Sequence, residues 1–229
     1  MEQYANPYVV AAAQPTERAA FIRKTYLHLA GAIALFVGIE AFLITSPIGV
    51  SIANAMLGVN WLIILGLFMV VSWVANKWAL SDVSRGKQYA GLGLTVVAWS
   101  IIFVPLLAYA SQFDPQAIGK AAIVTGFLFA GITATAFITR MDFSFLGGFL
   151  AIGSFVALGV IVCGVLFGFN LGTWFMAAMV LLAGGSILHT TSQIIHQYRT
   201  DQYVAASLGL FAGIALMFWY ILQIFMSRD

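Results

Sequence analysis

Seven apolar stretches, each close to the roughly 20 residues that a bilayer core requires, occupy this chain at Leu27–Thr45, Asn60–Ala79, Tyr89–Ala110, Ile118–Thr139, Phe145–Phe167, Thr173–Ile195 and Tyr203–Phe225. In hydrocarbon every backbone amide and carbonyl must find its partner inside the protein, which leaves only helices and closed barrels. Runs of this length without two-residue alternation read as helices. The expected fold is an all-α membrane protein, a bundle of seven transmembrane helices. Charged residues make up 8% of the chain, against about 25% in soluble domains, so the lipid bilayer is the first partner. The connections are short, and a single domain at 26–229 follows a polar, proline-bearing tail at 1–25. Arg18, Arg23 and Lys24 precede the first stretch, and no small-residue cleavage site follows it. That pattern reads as a retained first helix and not as a signal peptide.

Positive charge sets the orientation, because Lys and Arg stay on the cytoplasmic side. With seven crossings, Arg18, Arg23, Lys24, Lys77, Arg85, Lys87, Arg140 and Arg199 share one side, and Lys120 and Arg228 the other. The expected amino terminus is cytoplasmic and the carboxyl terminus outside. Nowhere do the cations cluster densely enough to follow a phosphate backbone, which excludes nucleic acid as a partner. A lone Cys163 permits no disulfide within the chain.

One stretch, Gly184–Tyr203, carries polar groups into an apolar span. At helical spacing Gly185, Ser186, His189, Thr190, Ser192, Gln193, His196 and Gln197 gather on one side. Ile187, Leu188, Thr191, Ile194 and Ile195 take the other. Such a stripe belongs against other helices or a wet cavity, since unpaired polar groups are costly in lipid. Within the spans the candidate proton- or ion-sensing groups are His189 and Glu40, with His28 at the cytoplasmic lip. His189 either titrates in a wet vestibule or stays neutral and holds one hydrogen bond. Glu40 is either a cavity carboxylate or a group reaching toward the headgroups. In the last stretch Ala205, Gly209 and Gly213 recur four apart, a spacing that permits close helix packing. Pro105 inside the third stretch is expected to kink it.

Several activities are excluded. No lysine sits at mid-span to form a Schiff base, and HExxH, Cys/His metal spacing and a phosphate loop are absent. Ser186 and His189 share one helix, whereas a serine protease needs its nucleophile and base brought together beside an oxyanion hole. The chain is read as a non-enzyme with no cofactor.

The segments MDFSFLGGFL at Met141–Leu150 and HTTSQIIHQYRTDQYVAASL at His189–Leu208, set in this seven-helix pattern, resemble the Bax inhibitor-1 (TMBIM) family. The similarity is strongest to its bacterial branch, which modulates the FtsH membrane protease. The resemblance implies six helices around a central seventh, a bacterial inner-membrane location, and a short amino tail that engages a membrane protease complex. It also implies, as the alternative, a pH-sensitive Ca2+ or cation leak controlled by one acid on the sixth helix and one on the seventh. The matching positions here are Thr190 and Gly213, so both acids are missing. In that alternative Glu40, His189 and the polar stripe line the path for Ca2+ or H+.

Overall fold

Capping groups stand where the apolar runs begin. Asp114 accepts hydrogen bonds from the amides of Gln116 and Ala117 at 3.1 and 3.2 Å, and Pro115 occupies the first turn behind it. Asn60 accepts from the Leu62 amide at 2.9 Å in the same way. At the other ends Arg140 and Gly168 take left-handed conformations, φ 52° and 69°, that stop the helices before them. The computed structural model describes residues 9–81 and 84–227. Among them lie eight helices: α1 (Pro15–Thr45), α2 (Pro47–Leu57), α3 (Trp61–Ala79), α4 (Arg85–Phe113), α5 (Pro115–Thr139), α6 (Leu146–Phe167), α7 (Gly172–His196) and α8 (Tyr203–Met226). Seven are long and apolar enough to cross a membrane, and α2 is too short.

Two features depart from the sequence reading. The link expected at 46–59 contains α2, started by Ser46, whose hydroxyl accepts from the Gly49 amide at 3.3 Å. A Cβ on Gly49 would collide with the Leu43 carbonyl group, so only glycine lets α2 fold back this tightly on α1. The tail expected over 1–25, with a helix at its end, proves to join the first spanning helix without a break in its described part. Pro15 at the first turn and Glu17 behind it start α1 well before the apolar run, and residues 9–13 dock on the bundle. Met1–Tyr8 lie outside the described residues.

Helix α8 is the centre. It packs against α1, α3, α4, α5 and α7, while α6 lies outside against α7 and α3. The densest part of the core is aromatic. Phe103 of α4 meets Phe36 of α1 at 5.2 Å between ring centroids, and Trp219 and Phe218 of α8 at 5.0 and 5.5 Å. Several buried hydroxyls bond back along their own helices, as Thr25 does to the Phe21 carbonyl and Thr95 to Gly91, which satisfies them without a partner helix. Alternating helix directions place the start of α1, the end of α3, the start of α4, the end of α5 and the α7–α8 turn at one end of the bundle. All eight cations assigned to one side lie in those segments. It is called the basic end below.

Candidate functional site

The two sequence segments singled out above meet at the basic end. The link between α5 and α6 contains Asp142, whose carboxylate accepts from the Ser144 amide at 2.9 Å and from the Ser144 hydroxyl, making a tight turn. This turn is pinned to α7. The Phe143 amide donates to the Ser192 hydroxyl oxygen at 2.9 Å, and the Phe143 carbonyl lies 3.1 Å from Nδ1 of His189. Gln197 donates to the Ser144 hydroxyl oxygen. Packing completes the contact, because a Cβ on Gly147 would lie 3.2 Å from the His189 ring. With Nδ1–H directed at a carbonyl and the ring edge against α6, His189 acts as a clasp between α7 and the α5–α6 turn.

Electrostatics tighten the same turn. The Ser144 hydroxyl, then its amide, hold the Asp142 carboxyl below the usual carboxylate range, with His196 adding to the effect. A carboxyl depressed in the folded state contributes stability above its unfolded pKa of about 3.9, and that contribution disappears as pH falls through the folded value. Asp142→Asn should therefore melt below the parent protein at about pH 7, with the gap closing in strong acid below about pH 4. Melting curves at the two pH values check this, and a gap that persists in acid would contradict it.

A third segment joins from the amino end. Val9 forms an antiparallel bridge with Arg199 in the α7–α8 turn, and the Val10 amide donates to the Tyr198 carbonyl at 2.9 Å. Val10 is 0% exposed, and burying such a side chain is worth about 2 kcal/mol. Tyr198 is itself covered, which pushes its hydroxyl pKa up. The amino segment, the α5–α6 turn and the α7–α8 turn thus form one platform.

The remaining candidates lie apart. Thr190 faces α8, where a Cβ on Gly209 would stand 3.2 Å from its methyl group. Gly213 lies opposite Ile187, one turn from Thr190, and a Cβ added there would come within 2.8 Å of Ile187 Cγ1. The two positions at which the resemblance led one to expect acids are therefore offset along the α7–α8 contact, and Ile187 fills the second. Ala205 is buried on α8. The face of α7 read as greasy is its most buried side: Ile187, Ile194 and Ile195 are almost fully covered. Of its polar stripe, His189 and Ser192 meet the α5–α6 turn and Gly185 lies against Leu150 of α6, while Thr190 faces α8 and Gln197 is exposed.

Glu40 is 4% exposed, and neither carboxylate oxygen has a hydrogen-bond partner among the described residues. The structure does not bring it near His189. Tyr26 of α1 lies beside Thr191 of α7, outside hydrogen-bond geometry, and Glu40 is fourteen residues further along α1. That spacing amounts to about 21 Å of helix. His28, expected at the cytoplasmic lip, lies at the basic end in a cluster with Tyr89 and Tyr203. Neither the α2 fold-back nor the docking of Val10 carried a sequence signal. Far from the platform, a cavity of about 510 Å³ opens among α3, α4, α6, α7 and α8, lined by Trp61, Trp99, Ile161, Val165, Trp219 and Gln223 among others. Among the described residues, no three His, Cys, Asp or Glu side chains converge to hold a metal.

Comparison with known proteins places these features. Residues 18–229 match the family model described as Inhibitor of apoptosis-promoting Bax1. An uncharacterized protein of Pseudomonas aeruginosa is 29% identical over 217 residues, covering 94% of this chain and 92% of that protein. Bax inhibitor 1 of Schizosaccharomyces pombe is 27% identical over 232 residues, 98% of this chain and 82% of its own length. The Modulator of FtsH protease YccA of Escherichia coli K12 is 34% identical over 132 residues, 56% of this chain and 60% of that protein.

Proposed function

Because the chain belongs to the Bax inhibitor-1 family, we propose that it is a non-enzymatic regulator of a membrane-bound, FtsH-type protease, working in a bacterial inner membrane with its basic end in the cytoplasm. The observation that carries this reading is the docking of Val9 and Val10 on the α7–α8 turn, beside the clasped α5–α6 turn. A protease that grips the amino segment meets a chain held by a buried valine and a backbone pair. The segment is offered but not released, and the protease is occupied without drawing the bundle in. YccA, a relative over about half of this chain, is named a modulator of that protease.

One observation favours a second reading, a pH-sensitive Ca2+ or cation leak: the buried Glu40 carboxyl has no hydrogen-bond partner among the described residues. Against it stand the missing acids at Thr190 and Gly213 and the distance between Glu40 and His189. The test measures binding to a purified FtsH-type protease together with Ca2+ flux in vesicles. Deleting residues 1–8 should abolish binding. Val10→Pro, which removes the docking amide, should keep binding but make the protein a degraded substrate. Vesicles of the unaltered protein should show no flux above empty ones. Binding unchanged by the deletion would overturn the regulator, and pH-controlled flux would put the leak first.

A further inference from the structure

Between α1 and α4 an apolar groove of about 340 Å³ opens toward the surrounding lipid. Its walls are Leu27 and Leu35 of α1, which are 63% and 50% exposed, and Leu92 and Val96 of α4. Its floor runs past Gly31 and Gly93, where an added Cβ would meet nothing within 4 Å. The groove ends at the basic end on His28 and Tyr89, joined by a hydrogen bond of 3.0 Å.

Two cations are gathered at that mouth by a single ring. Lys24 Nζ stands 5.4 Å from the Tyr203 ring centroid and the Arg85 guanidinium 5.9 Å from it, while Arg85 also donates to the Tyr203 hydroxyl at 3.0 Å. Tyr89 and Tyr203 hydroxyls lie 3.5 Å apart, so the ring that collects the cations is linked to the end of the groove. Lys24 and Arg85 are themselves exposed. An oily channel the shape of one chain, capped by two cations and phenolic donors at headgroup depth, is complementary to one class of molecule.

We propose that this groove is a specific site for an anionic glycerophospholipid of the leaflet at the basic end. One acyl chain lies over Gly31 and Gly93, and the phosphate is held by Lys24, Arg85 and the hydroxyl of Tyr89. Such a lipid extends along the groove the bridge that His28, Tyr89, Arg85 and Tyr203 make between α1, α4 and α8 at the basic end. The choice of an anionic lipid over a zwitterionic one rests on the two cations, each worth about fivefold in affinity near an anionic headgroup.

The test uses the full chain in detergent, with lipid retention read by native mass spectrometry. Phosphatidylglycerol should be retained in preference to phosphatidylcholine of the same chains. Lys24→Gln with Arg85→Gln should weaken retention by about 25-fold, which is two factors of about five. Gly93→Leu, and separately Gly31→Leu, should block it while leaving the melting temperature in lipid-free detergent unchanged, because the new side chain enters open space. Inorganic phosphate should not compete. The proposal is overturned if phosphatidylcholine is held equally well, if either leucine variant with normal melting keeps phosphatidylglycerol, or if inorganic phosphate displaces it.

Discussion

Gly91→Ala should cost the protein about 3 kcal/mol, the upper part of the range for an added methyl in a close-packed contact. A Cβ at Gly91 would stand 2.5 Å from the Ala75 carbonyl oxygen and 2.7 Å from the Ala79 amide nitrogen. Both are backbone atoms of α3, so no rotamer change relieves the contact and the two helices must separate. Separation strips contacts along one of the longest helix pairings in the bundle, where Ala75 and Ala79 are fully or almost fully buried. Gly93→Ala is the matched control. It lies on the same helix two residues away, its Cβ meets nothing, and it should change stability by less than about 1 kcal/mol, in the stabilising direction by helix propensity. Denaturant unfolding of both variants in the same detergent checks the pair, and equal stabilities would show that the α3–α4 contact is not as close as described.

Gly213→Asp, which places an acid on α8 where the resemblance implies one, should be destabilising by at least about 3 kcal/mol and should not create a leak by itself. Its Cβ would come within 2.8 Å of Ile187 Cγ1, and its carboxylate would enter a contact whose nearest polar atom is the Ala183 carbonyl oxygen, 3.8 Å away and itself an acceptor. The clash and the unpaired charge act together. Ile187→Ala removes the first and not the second, so combining it with Gly213→Asp should recover about 1–2 kcal/mol relative to the sum of the single changes. A double-mutant cycle of unfolding free energies measures that coupling. If Gly213→Asp proves neutral, Ile187 yields easily and the absence of the acid has no packing reason. Any flux experiment on restored acids should therefore begin from the Ile187→Ala background.

The membrane spans were legible because their signal is long-range and additive: about 20 apolar residues outweigh any local ambiguity. The positive charges of the basic end were legible for the same reason. Short-range devices were not. Helix α2 has only 11 residues and begins at Pro47, and both traits also mark a loop. A single bridge at Val9 leaves no periodicity to read. The stripe on α7 was visible as a stripe, but its partner was not. That His189 closes on Phe143 depends on how α5 ends, and the left-handed turn at Arg140 that aims the link has no glycine to announce it. The resemblance singled out Thr190 and Gly213 in the chain without revealing that Ile187 fills the space against Gly213.

Helix α6 buries only Ala157 and Gly164 and touches chiefly α7. With so few buried contacts it is expected to open at a lower free energy than α4 or α8. The detachment is not symmetrical. Its leading end is held through the α5–α6 turn by Ser192 and His189, while its trailing end has no such tether beyond the turn at Gly168. Ile161, Gly164 and Val165 on that trailing half form one wall of the tryptophan-lined cavity. Any movement of α6 about its fixed basic end would therefore change how the interior at the opposite end meets the lipid.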